Sequence, residues 1–300
     1  MVAGLPRFGG MTTQRIALVT GANQGIGHAL VEELAARWSP EDLVLLTGRN
    51  ESRVAEAAAR LSGAAGAHVE GRRLDVSDAG AIARVAAEVT GRYGGIDVVI
   101  SNASARITPD RSQEEQADEF IAVANGGTHA MLRSFGPAIR PGGRLIVVAS
   151  SLGTLGNLDE RLHPLFGDPS LEEVEALVES WRGAIHDGTA QDLGWPRWIN
   201  VPSKVAQVAA VRAVARSRRE ADLAAGTLVA AVCPGLVDTP ASRPWFEDFS
   251  QARTPARAAF VLLDFILATP VAPETHGGLV RDGAVLPWLG TSRARTTATD

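Results

Sequence analysis

The stretch Ile16-Ala17-Leu18-Val19-Thr20-Gly21-Ala22-Asn23-Gln24-Gly25-Ile26-Gly27 decides the fold. Four apolar residues make a short strand that runs without a break into three glycines, and the pattern from Gly25 to Trp38 is that of a helix. Glycines at such a junction let the backbone turn tightly and approach a pyrophosphate, while the N–H groups and dipole at the helix start favour the anion. A glycine triplet by itself is also the helix-entry turn of any α/β protein. The strand before it and the helix after it are what single this one out.

Outward from that loop the chain keeps one rhythm. Apolar strands are expected at 43–47 (LVLLT), 68–76 (HVEGRRLDV), 96–101 (IDVVIS) and 144–150 (RLIVVAS), separated by helices over 51–62, 78–92 and 113–135. The rhythm breaks at 152–199 and resumes with a helix at 203–218, a strand at 228–233, a helix near 255–268 and an apolar segment at 278–286. Short apolar strands each followed by a helix predict an α/β fold: a single Rossmann-type, doubly wound parallel sheet with helices on both faces. The expected organisation is one domain over 15–290 carrying an insert at 152–199, with a loose leader (1–14) and tail (291–300).

Composition narrows the function. The 300 residues carry a net charge of −5, which offers no basic field for a nucleic-acid backbone or an anionic membrane. The single cysteine, Cys233, cannot close an internal disulfide, and no long apolar run marks a membrane span, so a cytoplasmic protein is expected. His, Cys and acidic residues show no zinc-ligand spacing, and no metal is expected. Of the 29 basic residues 28 are arginine, leaving one lysine, Lys204. Arginine replaces lysine well on a solvated surface and badly where a compact ammonium must fit a tight polar site, so Lys204 is a candidate functional residue on that count alone.

The end of the second strand bears on the nucleotide. An acid there accepts from a ribose 2′-hydroxyl and repels a 2′-phosphate, whereas this chain reads Leu46-Thr47-Gly48-Arg49-Asn50. Arg49 offers a planar donor array suited to phosphate, which favours NADP(H) over NAD; the alternative is a solvated loop arginine. Asp75, followed by Val76 in LDV, suits an adenine edge, and Asp at a strand end is also a common turn former.

Taken together, TGANQGIG (20–27), LDV (74–76), SNAS (101–104), Asn125, ASS (149–151), SK (203–204) and CPGLVDT (233–239) resemble the short-chain dehydrogenase/reductase family over about residues 15 to 288. The resemblance implies that Gly21, Asn23, Gln24, Gly25, Ile26 and Gly27 cradle the dinucleotide. It also implies that Asn102 and Ala103 border it, and that Pro234, Gly235, Val237 and Thr239 contact the nicotinamide. SNAS departs from the usual NNAG of the family at Ser104. The long insert with Gly194-Trp195-Pro196 before the active-site motif is similar to that of the monomeric carbonyl reductases and related plant reductases. Within it Leu171, Val174, Leu177, Val178, Trp181 and Ile185 recur at helical spacing, and this helix is expected to cover the surface other members use to associate, giving a monomer.

In that family a serine binds the carbonyl oxygen, a tyrosine protonates it, a lysine four residues on holds the nicotinamide ribose, and an asparagine carries a water of the proton relay. The resemblance places these roles on Ser151, Lys204 and Asn125, but the tyrosine position is Asn200. The one tyrosine, Tyr93, lies just before the fourth strand. A carboxamide can donate a hydrogen bond to a developing oxyanion but cannot deliver a proton near neutral pH. Three readings stay open: an NADPH-dependent reductase of a conjugated C=C or imine, a carbonyl reductase whose acid comes from the insert (His186 or Asp187 before His163 or Asp192), or a redox-inactive NADP-binding scaffold or cyclase. Trp181, Trp195, Trp198 and Trp245 either wall a sizeable apolar small-molecule substrate or anchor the insert.

Overall fold

The computed structural model describes residues 14–63 and 66–289; most of the leader and the tail expected from the sequence lies outside this range. Strands β1 (Ile16–Val19), β2 (Leu43–Gly48), β3 (His68–Arg73), β4 (Ile96–Ser101), β5 (Ile139–Val148), β6 (Leu228–Val232), β7 (Leu279–Arg281) and β8 (Ala284–Leu286) form one sheet in the order β3-β2-β1-β4-β5-β6-β7-β8. Seven strands are parallel, as the continuous apolar runs require, and only β8 returns antiparallel to β7. The expected final apolar segment is thus a tight hairpin: Asp282 and Gly283 at its turn both adopt positive φ, and Gly283 does so without steric cost.

Helices α1 (Gly25–Arg37), α2 (Glu51–Leu61), α3 (Ala79–Tyr93), α4 (Gln113–Ile121), α5 (Gly127–Phe135), α6 (Leu171–His186), α7 (Asn200–Ala224) and α8 (Pro255–Ile266) cover both faces. One apolar cluster joins the sheet to α3, α4, α5, α6 and α7, the other to α1, α2 and α8. The expected single helix over 113–135 is interrupted by a π-helical turn, Ala122–Gly126, between α4 and α5. One extra residue in the turn leaves the 3.6-residue apolar pattern readable on both sides, so the sequence shows one helix. The helix expected at 203–218 is longer at both ends, because Asn200 to Pro202 occupy its first turn, where a missing proline N–H costs nothing.

The insert forms 3₁₀ turns and then α6, which packs against α4 and α7. Ser170 caps α6 reciprocally with Glu173, and Arg133 of α5 grips Glu172 and Glu175 while Arg182 reaches Asp118 of α4. The apolar side of α6 is buried through Val174, Val178 and Trp181, as the periodicity predicts. Among the described residues no helix is long and apolar enough to cross a membrane.

Candidate active site

The strand order reverses beside β1, so the loops after β1 and β4 diverge at one sheet end, where a crevice opens in doubly wound folds. Thr20 ties the two: its hydroxyl accepts the N–H groups of Asn102 (2.9 Å) and Ala103 (3.0 Å), and the Asn102 amide donates back to the carbonyls of Thr20 and Gly21. Asn102 therefore shapes the glycine loop from behind. Gly27 has no alternative, since a Cβ there would lie 2.5 Å from the Gly21 carbonyl oxygen and 2.6 Å from Asn102 Nδ2. Gly25, at φ +59, faces open space whose nearest atom is Thr239 Cγ2 at 3.9 Å. This gap at the start of α1, between Gln24, Ile26 and the Thr239 loop, fits the pyrophosphate that the sequence pattern implies.

At the adenine side Asn23 turns toward β2, where a Cβ on Gly48 would come within 3.0 Å of its Oδ1. Arg49 is exposed and pairs with Glu119 of α4 at 3.0 Å, an ion pair weak enough in water to yield to a phosphate. Asp75 accepts from the Ser77 N–H (3.0 Å) and hydroxyl (2.7 Å), which is the turn-forming arrangement. Val76 is buried against Gly127.

The cleft in front of the sheet has a volume of about 510 Å³ and is walled by the segment after β4, by Ser150, Ser151 and Leu152 after β5, by Asn200, and by the loop after β6. Asn200 opens α7 and Lys204 lies one turn later on the same side of the helix. Ser150 is taken by the Leu152 N–H, whereas the exposed Ser151 has its backbone N–H on Cys233 Sγ at 3.2 Å and shows no side-chain partner. Both hydroxyls border the cleft, and that of Ser151 is not engaged by another protein group. Gly235, at φ +77, turns the chain after Pro234, whose carbonyl accepts from Arg253; Val237 is buried, and Thr239 and Ser242 close the loop by a hydroxyl pair at 3.2 Å.

Asn125 is fully buried in the π-helical turn, where its Nδ2 donates to the Ser203 carbonyl (3.0 Å) and its Oδ1 has no protein partner. A buried orphan oxygen of this kind is a place for a water. Lys204 donates to Gln207 Oε1 at 2.7 Å, and burial lowers its ammonium to about 8 against a smaller opposing influence from Cys233. Gln207 was not apparent as a site residue from the sequence. The available signal was a lone polar residue, three past the lysine, in the otherwise apolar run Val205–Val211.

The four tryptophans divide between their two expected roles. Trp181 and Trp195 are buried with ring centroids 5.8 Å apart and anchor the insert. Trp198 and Trp245, 5.5 Å apart, face the cleft, and Trp245 Nε1 donates to the Ile107 carbonyl. The structure does not bring the insert acids to this cleft. His186 Nε2 lies 2.9 Å from Asp118 at an exposed helix end with Asp187 as its cap, His163 meets the Leu158 carbonyl, and Asp192 is exposed. Tyr93 ends α3 just before β4 begins, at the opposite end of the strands from the cleft loops, with Arg92 over its ring.

Known proteins share this plan. The family model described as short chain dehydrogenase matches residues 15–160. The Mus musculus protein named carbonyl reductase (NADPH) 3 is 31% identical over 284 residues, covering 91% of this chain and 98% of its own length, and carbonyl reductase (NADPH) 1 of the same species is 29% identical over 92% and 99%. Among solved structures, salutaridine reductase from Papaver somniferum superposes with a TM-score of 0.76 at 21% identity, covering 89% of this chain and 99% of its own. Menthone neomenthol reductase from Mentha piperita gives 0.72 at 22% identity, covering 91% and 100%. Full-length similarity to two carbonyl reductases, on a sheet whose switch point carries the glycine loop, establishes that the chain belongs to the short-chain dehydrogenase/reductase family and is an oxidoreductase.

Proposed function

We propose that this protein is an NADPH-dependent reductase of a small organic molecule, acting on a conjugated C=C or an imine rather than on an isolated carbonyl. NADP(H) is the nucleotide in the names of the relatives, and a second strand that ends in Arg49 without an acid agrees with it. When bound, NADPH supplies a hydride to the acceptor carbon. The glycine loop and Asn102 would seat its pyrophosphate, Arg49 its 2′-phosphate and Lys204 its nicotinamide ribose.

The single observation that carries the reading is Asn200 on the wall of the cleft, one helical turn before Lys204. Its Nδ2 and the Ser151 hydroxyl can donate hydrogen bonds to a substrate oxygen and stabilise charge developing there. Neither gives up a proton readily near neutral pH, so the reduced product takes its proton from water at the exposed Ser151 side of the cleft. A conjugated acceptor tolerates this, because charge delocalises onto an oxygen that needs only hydrogen bonds; an imine arrives already protonated. Trp198 and Trp245 favour a flat, apolar substrate. Burial of the apolar side of α6 against α4 and α7 favours a monomer.

A carbonyl reductase reading rests on the relatives' names and needs an acid at the cleft, a place His186 does not occupy while it pairs with Asp118. The test is NADPH consumption with matched enone, cyclic imine and unconjugated ketone substrates. Wild type is expected to turn over the enone or imine and to be slow on the ketone, and Asn200→Tyr is expected to raise ketone turnover by ~10²–10⁴. Equal ketone rates in the two proteins would overturn the reading. A fluorescence titration without NADPH binding would favour the scaffold reading instead.

A further inference from the structure

Gln207 is buried beside the site with both ends of its amide hydrogen-bonded, yet the chemistry above gives it no task. It is 2% exposed on the side of α7 that faces the π-helical turn. Its Nε2 donates to the Ala124 carbonyl at 2.7 Å and to Thr128 Oγ1 at 2.9 Å, and its Oε1 accepts from Lys204 Nζ at 2.7 Å. Thr128 in turn donates to the same Ala124 carbonyl at 2.7 Å.

This set of partners fixes the amide orientation. A flipped amide would set two N–H donors against an ammonium and leave a carbonyl against two oxygen atoms, which a buried site would not tolerate. The neighbours Val205, Ala206, Val208 and Ala209 are all apolar and buried, so packing alone would place an apolar side chain at 207. Ala124 is adjacent to Asn125 in the π-helical turn, and Asn125 Nδ2 is bound to the carbonyl of Ser203, the residue before Lys204. Two bridges, Asn125 to Ser203 and Lys204 through Gln207 to Ala124, thus join the same pair of segments.

We propose that Gln207 is a positioning residue of the active site, an amide clamp that fixes the Lys204 ammonium to the π-helical turn carrying Asn125, in a chain where no phenol precedes that lysine. Lysine and turn are then set as one unit, and the ammonium holds its place with a neutral partner. This rests on the reading of Lys204 as the group that grips the nicotinamide ribose, but the clamp itself can be tested without cofactor.

Lys204 is the only lysine in the chain, so labelling with lysine enriched in ¹³C at Cε gives a single ε-carbon resonance. The other titratable group facing Lys204 is Cys233, from the end of β6, and Cys233→Ser serves as the control background. In the protein without cofactor, Gln207→Leu is expected to lower the Lys204 titration midpoint by half a unit or more, because the lost hydrogen bond favoured the charged form. Gln207→Met, of similar length but without the amide, is expected to lower it likewise. NADPH affinity, read by fluorescence, is expected to fall about fivefold in Gln207→Leu.

Circular dichroism selects variants that fold; if Gln207→Leu does not, Thr128→Val removes one of the two acceptors holding Gln207 and is expected to shift the same resonance in the same direction. An unchanged Lys204 midpoint in folded variants at 207 would overturn the clamp and leave Gln207 a packing residue. If the midpoints move as expected while wild type binds no NADPH, the clamp stands and the cofactor reading fails.

Discussion

At the scale of single residues, the decisive group is a lysine whose ammonium is held near its titration point. Burial brings Lys204 to about 8 from an ordinary value of 10.5. The ammonium form therefore dominates at pH 7 and falls to about a tenth at pH 9. If that ammonium grips the ribose, NADPH affinity is lost as pH rises through 8: the dissociation constant is expected to increase by up to about tenfold between pH 7 and 9, as the bound species requires a proton that is then scarce. Fluorescence titration at the two pH values measures this. In Lys204→Met the affinity is expected to be weak and flat over the same range, and a flat wild-type profile would place the ammonium away from the nucleotide. Lys204 was legible in the sequence because the scarcity of lysine isolates it. Asn200 was legible by counting back one helical turn. Gln207 was not, because its role depends on the carbonyl of Ala124, which lies 83 positions away. Of the two roles expected for Asp75, its contacts with Ser77 realise the turn-forming one.

At the scale of elements, the glycine loop and the two segments that hold it form one object. Thr20, Asn102 and Gly27 come from the end of β1, the end of β4 and the first turn of α1, and each is in contact with another of the three. Gly27→Ala would drive a methyl group into the Gly21 carbonyl oxygen, which is backbone, and into Asn102 Nδ2, which is held by its hydrogen bonds to the Thr20 and Gly21 carbonyls. The expected result is a destabilisation of about 1–3 kcal/mol in urea unfolding, with NADPH binding lost in the protein that still folds. Unchanged binding would mean that the loop can relax without Asn102. Strands and helices were legible here because the 2- and 3.6-residue patterns are local properties of the chain. The π-helical turn was not, since its cause is tertiary: Asn125 and Ala124 direct their polar groups to α7. The extension of β5 back to Ile139 was equally hidden, because residues 140–143 carry arginine, proline and two glycines. Arg144, within that strand, is buried and donates to carbonyls of Ile266, Gly226 and Ala268, a use of arginine as a stitch between loop ends that no local pattern reveals.

At the scale of the whole molecule, the insert adds α6 against α4 and α7, and the seam on the α5 side has a titratable group inside it. His129 of α5 is buried where α3, α5 and α6 meet, its Nε2 has no partner, and burial lowers its imidazole to about 4; Glu175 opposes that shift and Arg133 adds to it. The folded protein thus holds His129 neutral below pH 6.5, while the unfolded chain binds a proton there. Because the unfolded state carries more protons in this window, stability falls as pH drops from 6.5 toward 4, by about 3 kcal/mol for this one group. His276, also buried and lowered by desolvation, adds to the same trend from the other end of α7, where it faces Asp222. The variant His129→Phe separates the two contributions. Its urea-unfolding free energy is expected to decline by about 2–3 kcal/mol less than that of wild type between pH 6.5 and 4. It leaves His276, the carboxylate pairs and the cleft untouched, so NADPH binding at pH 7 stays at the wild-type level. An acid-induced loss equal to that of wild type would mean that His129 is protonated in the folded seam, and that Glu175 outweighs its burial.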